Sequence, residues 1–271
     1  MNLEDVVIKQ EDIESNIATY QETVELNPQD ANAYNKLASA YFNQGEYESA
    51  IVAYKSAIEL VPNDADACNS LGAVYYEHGS IELAIVEIKW AIEINPEHEK
   101  AHMNLGTIYT KVGYLEDALV AFERAIEINP KYADAFYGLG AIRYIQSEYE
   151  SALVAYKKVI EINPRHMKAH NGLGKIYALA KSYCQQAEGH YQQEDYASAC
   201  VAFEQAIKIN PEDADTYYGL GTICHRQGDI KSALVAFKRA IKIKPEHAGA
   251  RINLGIVYCH LGQYESAIRR D

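Results

Sequence analysis

The sequence lacks the marks of a membrane, secreted or nucleic-acid-binding protein. No apolar stretch reaches the roughly 20 residues that a membrane-spanning helix needs, so membrane insertion is not expected. The opening residues MNLEDVVIKQED carry acids where a signal peptide carries positive charge. The five cysteines, Cys68, Cys184, Cys200, Cys224 and Cys259, include no CxxC pair, which argues against a disulfide framework and a zinc site. A reducing, cytoplasmic compartment is the expectation that follows. Positive charge is also scarce: 25 Lys and Arg face 38 Asp and Glu, a net charge of −13. A surface that neutralises phosphates is therefore not expected, nor nucleic acid as a partner. The deficit is uneven, since residues 1–130 hold 7 basic and 23 acidic residues and residues 131–271 hold 18 and 15.

Proline is nearly absent, and where it occurs it keeps time. All seven prolines, Pro28, Pro62, Pro96, Pro130, Pro164, Pro211 and Pro245, fall in one register, with five gaps of 34 residues and one of 47. Self-similarity at such a period marks a repeat array. Within each unit, apolar residues recur at spacings of three and four, as in Tyr34, Leu37, Ala38 and Tyr41. That spacing makes one face of a helix. A break at Gly45 follows, then the stripe Tyr47, Ala50, Tyr54 and Ala57 of a second helix, which ends before Pro62 because proline disfavours a helical residue ahead of it. Each unit reads as a helical hairpin. A leucine returns at 37, 71, 105, 139, 173, 220 and 254, followed by glycine in six of the seven units. Glycine inside a helix costs roughly 1 kcal/mol against alanine, so its recurrence requires a packing reason. Alanine returns on the facing helix as Ala50, Ala84, Ala118, Ala152, Ala199, Ala233 and Ala267, which predicts a close approach of the two backbones.

This order of Leu-Gly, Tyr, Gly, Ala, aromatic, Ala and Pro over nearly the whole chain resembles the tetratricopeptide repeat (TPR). The resemblance implies an all-α fold, a right-handed superhelical solenoid of helix-turn-helix hairpins. It also implies that the first helix of each hairpin lines a concave groove that holds a protein or peptide, so that the chain acts as an interaction scaffold. Two further readings stay open under it: the substrate-docking arm of a larger enzyme such as an O-linked N-acetylglucosamine transferase, and an assembly factor for a membrane complex. The groove positions that the family implies are Asn35, Asn69, Tyr76, Lys100, Thr107, Tyr137, Tyr144, Asn171, Lys175, Tyr218 and His225. Tyrosine supplies large contact area at small entropic cost, and asparagine amides can bond a peptide backbone. The carboxylate clamp of chaperone-docking repeats does not fit, because Lys100 and Lys168 match but Gly172 stands where arginine is needed. An asparagine ladder is partial, with Asn104 and Asn253 matching and Lys36, Ser70, Gly138, Gly172 and Gly219 not.

The departures from the pattern set the domain organisation. Residues 1–30 read as a degenerate capping hairpin, with Glu4, Asp5, Glu11, Asp12 and Glu14 giving it a polar outer face. The 47-residue gap adds residues between Tyr177 and Tyr196. Here the stripe Leu173, Tyr177, Ala180, Cys184, Ala187 and Tyr191 favours a lengthened first helix over a loop. We therefore expect one lobe over 31–180, with repeats at 31–64, 65–98, 99–132 and 133–166 plus the first helix of the fifth. A second lobe is expected over 181–271, with the rest of the fifth repeat, a repeat at 214–247 and a shortened last one. The last hairpin stops at Arg269-Arg270-Asp271, an open edge compatible with a longer array or with end-to-end self-association. The pairs His98/His102 and His166/His170 have the i, i+4 spacing of metal ligands but no glutamate of the HExxH type, so a packing role is expected. No catalytic set, metal or cofactor is expected.

Overall fold

The computed structural model describes residues 3–262, with side chains from Ser15 onward. Fourteen α-helices and no strand occur among the described residues. They are α1 (Leu3–Leu26), α2 (Ala31–Gln44), α3 (Tyr47–Leu60), α4 (Ala65–Glu77), α5 (Ile81–Ile94), α6 (Glu99–Val112) and α7 (Leu115–Ile128). Then come α8 (Ala133–Ile145), α9 (Tyr149–Ile162), α10 (Met167–Gln192), α11 (Tyr196–Ile209), α12 (Ala214–Arg226), α13 (Ile230–Ile243) and α14 (Ala248–His260). From α2 onward, even-numbered helices are the first and odd-numbered ones the second members of successive hairpins. The chain divides into two compact units, Met1–Leu139 and Gly140–Asp271, the division falling inside α8.

Local chemistry sets the helix ends. After six of the seven prolines, a polar side chain caps the next first helix: Asp30, Asp64 and Asp213 do so with a carboxylate, and His98, His166 and His247 with Nδ1. Each accepts a backbone N–H that the first turn leaves unpaired. The turn inside a hairpin needs a left-handed residue, supplied by Gly45, Gly79, Gly113, Gly228 and Gly262 at φ between 69° and 90°. Two hairpins place Ser147 (φ 63°) and Glu194 (φ 60°) there instead, a conformation that costs an L-residue about 1–2 kcal/mol.

Residues 3–26 form a single helix, not the capping hairpin expected for 1–30, because no glycine or proline interrupts them before Pro28. The acidic side chains assigned to that cap lie outside the described residues, as does the second helix of the last hairpin. The division expected near residue 180 also differs from the one observed at Leu139.

The core is built from small residues backed by rings. Ala50, Ala84, Ala118, Ala152, Ala199 and Ala233 are fully buried. The recurring glycines, however, make room mainly for the large residue of the second helix. A Cβ at Gly106 would stand 2.7 Å from the Phe122 ring, one at Gly140 2.8 Å from Tyr156, and one at Gly221 2.7 Å from Phe237. At Gly72 the facing alanine's backbone also comes near, with Ala84 O at 3.1 Å. The next hairpin closes the other side of the ring: Gly138 stands against Phe122, Gly172 against Tyr156 and Gly219 against Phe203. The Phe122 and Tyr156 rings therefore each sit between two helices that have given up a side chain to admit them, the interdigitation that dense interiors require.

Helix α10 breaks this rhythm. Its 26 residues make about 39 Å of uninterrupted helix, so the extra residues are helical. Its first half packs on α9 through Gly172 and Tyr156, while its second half packs on α11, where buried Ala187 joins Ala199 and Phe203. Ala187 stands before Phe203 at the spacing that Gly106 keeps from Phe122. The repeat register of the fifth hairpin is therefore carried by the second half of α10. Gly174, the residue that follows the recurring leucine, has no atom within 4 Å of where its Cβ would be.

Candidate binding groove

Two cavities show what successive first helices make between them. In the first unit, Asn35, Lys36 and Ser39 of α2 and Asp66, Ala67 and Ser70 of α4 enclose about 240 Å³ over the Tyr54 ring. In the second unit, Cys184, Glu188 and Tyr191 of α10 and Asp215, Thr216 and Gly219 of α12 line about 580 Å³, with Phe203 also in the lining. A single sequence offset carries Asn35 to Cys184, Ser39 to Glu188, Tyr54 to Phe203, Asp66 to Asp215 and Ser70 to Gly219. The two cavities are one repeated feature. The second is larger for two reasons: Gly219 replaces Ser70, and α10 extends back to Tyr177, which adds a wall where the same offset reaches the turn at Pro28 before α2.

The expected groove residues divide between the units. In the first, the Asn35 amide donates to Asp64 at 3.0 Å, and its Oδ1 is buried with no hydrogen-bond partner. Asn69 is buried on α4 and accepts from Asn104 of α6 at 2.9 Å, a short piece of amide ladder. Tyr76 packs against the core and Tyr137 is half-buried. Lys100 is exposed, and the Thr107 hydroxyl donates to Met103 O at 3.1 Å. In the second unit, the Tyr144 ring meets Tyr149 at 5.6 Å, and Tyr218 lies 6.1 Å from Phe237 and 4.9 Å from His247 while lining the larger cavity. His225 stacks on His260, with Nε2 and Nδ1 3.1 Å apart. Asn171 and Lys175 are exposed on the first half of α10 and do not line the cavity. The register shift gives the place equivalent to Asn35 to Cys184. This was readable in principle, from Phe203 counted back to Ala187, but the intact Leu173-Gly174 pair points to the other frame.

The chain belongs to the tetratricopeptide repeat family. A model described as TPR repeat matches residues 5–45, 38–79, 106–146 and 189–228, together more than half the chain. Models described as tetratricopeptide repeat match 133–166, 214–247 and 236–269. None of the curated proteins matches. Among solved structures, the chain is 24% identical to MamA over 62% of its own length and 98% of MamA, with a TM-score of 0.52. A tetratricopeptide repeat protein from Parabacteroides merdae is 19% identical, with 92% and 94% of the two chains covered and a TM-score of 0.53. A chain of the APC/C hetero-tetramer Cut9–Hcn1 is 12% identical, with 95% of this chain and 46% of that one covered and a TM-score of 0.52. At these identities the likeness establishes the TPR solenoid fold alone.

Within the TPR frame the paired histidines have a plain duty. His98 and His166 accept the Ala101 and Ala169 N–H groups as caps at 3.3 and 3.1 Å, and His102 and His170 turn Nε2 to the carbonyls of Pro96 and Pro164 at 3.0 and 2.9 Å. Capping thus employs the first member of each pair. Among the described residues no three His, Cys, Asp or Glu side chains are grouped to hold a metal ion. The buried thiols are held protonated: burial, reinforced by Glu87 and Asp64, puts Cys68 at about 11, and burial with Cys200 nearby pushes Cys224 to about 12. Burial raises Cys184 as well. Thiols so held are poor nucleophiles. No helix of the described residues is long and apolar enough to cross a membrane.

Proposed function

We propose that this TPR chain is an interaction scaffold that holds an extended segment of a partner protein along the face that the first helices make within a unit. The observation that carries the reading is the repeated cavity between successive first helices, with its aromatic residue and its polar rim. A peptide bound there places side chains over the rings, where apolar area is lost to water, and its backbone beside amides such as Asn35, which keeps a buried polar atom unpaired. The TPR family and fold are those of protein-interaction scaffolds generally; the use of this face, and of an extended segment, is our proposal.

Site-specific photocrosslinking tests it. Benzoylphenylalanine placed at Tyr76, Lys100 or Lys175 should capture a partner in the native cell. The same group at Val86 or Val235, 60% and 68% exposed on second helices, should not. Adducts confined to the second-helix positions would reject the proposed face.

A further inference from the structure

The larger cavity has a chemistry of its own. Its lining is aromatic, with Tyr177, Tyr191, Phe203 and Tyr218 contributing rings, and it carries three carboxylates, Glu188, Asp213 and Asp215, against one cation, Lys181. The carboxylates differ in how far they are already engaged. Asp213 is spent as a cap, accepting from the Thr216 hydroxyl at 2.6 Å and the Asp215 N–H at 3.2 Å. Asp215 accepts from His247 Nε2 at 2.9 Å through Oδ1 and is 75% exposed, so its second oxygen faces solvent. Glu188, one turn beyond Cys184 on α10, stands where the smaller cavity has the neutral Ser39.

From this arrangement we infer that the pocket between α10 and α12 takes the cationic side chain of an arginine or lysine in the bound segment. The inference rests on the scaffold reading and adds the residue class that this part of the face selects. Aromatic faces attract cations through their quadrupole, and a carboxylate at the rim neutralises the charge where solvent is partly excluded. A volume of 580 Å³ accommodates a long side chain, and the pocket's excess of negative charge disfavours an acidic one. The same charges explain why an apolar side chain is a poorer occupant: it would cover Glu188 without giving it a partner, and burying an unpaired carboxylate is costly.

The test uses the full chain and two probes of one shape, Nα-acetylarginine methylamide and its uncharged citrulline counterpart, followed by ¹H–¹⁵N spectra. The arginine probe should shift the Thr216, Gly219 and Thr222 amides along saturating curves, and the citrulline probe should need at least about tenfold more. Glu188→Gln and Asp215→Asn, which keep shape and the acceptor for His247, should each weaken the arginine probe by about threefold or more. Equal binding of both probes, or arginine shifts that never saturate and are unmoved by the two substitutions, overturns the inference. Its failure is separable from that of the scaffold reading. A partner still crosslinked from Tyr76 and Lys175, yet held equally well after Glu188→Gln and Asp215→Asn, removes the cation pocket and leaves the face in use.

Discussion

Two glycines that follow the same recurring leucine should answer to alanine with opposite signs. Gly174 lies in the interior of α10 with no atom within 4 Å of its absent Cβ. Gly174→Ala therefore gains helix propensity, about 0.8–1.0 kcal/mol, and incurs no steric cost. For a chain of this size that is a rise of about 2–4 °C in Tm. Repeat arrays need not melt in one step, so the sharper assay is amide hydrogen exchange, where α10 should slow by about fivefold under conditions of local opening. At Gly106 the same methyl lands 2.7 Å from the Phe122 ring, and Gly138 stands against that ring too, 2.5 Å from its Cζ by the same measure, so the ring has nowhere to retreat. Overpacking of that kind costs about 1–3 kcal/mol, which outweighs the propensity gain at all but its lower end. If Gly174→Ala destabilised α10 as Gly106→Ala destabilises its own hairpin, a second helix would have to pack at Gly174. The assignment of the fifth hairpin to the latter half of α10 would then be wrong.

Other expectations follow from the turns, caps and buried acids. Ser147→Gly and Glu194→Gly should each stabilise by about 1 kcal/mol, since both residues sit in the left-handed region; unchanged melting would mean the turns relax without strain. His166→Ala should cost about 1 kcal/mol and His166→Asp nearly nothing, because Asp64 fills the same capping place in another hairpin; equal losses would deny the cap. Burial raises the Glu87 carboxyl above its ordinary 4.5, with Lys55 opposing. Its protonated form thus suits the fold better, and that stability is present at low pH and lost as pH rises through the raised value. Glu87→Gln should accordingly raise Tm at pH 7 and not at pH 4, and a gain of equal size at both would point to packing. Of the thiols, exposed Cys259 should react with a disulfide reagent in the native state, and buried Cys68 and Cys224 only on unfolding.

The hairpins were legible because their signals are local and repeated. Proline ends a second helix by sterics alone, and the left-handed turn calls for glycine wherever it occurs. The recurring small residues announced a close approach but not its partner: spacing alone does not say whether Gly106 faces Ala118 or Phe122, and the structure gives the ring. The capping role of the His pairs was not legible either, since i, i+4 spacing is shared by metal ligands and by a cap with its neighbour, and the Nδ1 contact to Ala101 N is what identifies the cap. The groove of the second unit was hidden by two overlapping registers in α10. Leu173-Gly174 keeps the pattern of a hairpin whose second helix never follows, while Ala187 and Phe203 satisfy the pattern without the glycine. Choosing between them requires knowing which half of α10 meets α11, a contact between residues that helical periodicity does not order.

In an ordinary array each hairpin owns both its helices and can fray or form with coupling only across its borders. Helix α10 is common property: α9 rests on one half and α11 on the other, with no turn between them. Unravelling that reaches α10 from either side must either stop at its midpoint, leaving a half-supported helix in water, or take the whole of it and release the opposite neighbour too. A helix whose two halves answer to different partners ties their fates together. The fifth hairpin should therefore be the place where the repeats of the second unit gain or lose order jointly rather than one at a time.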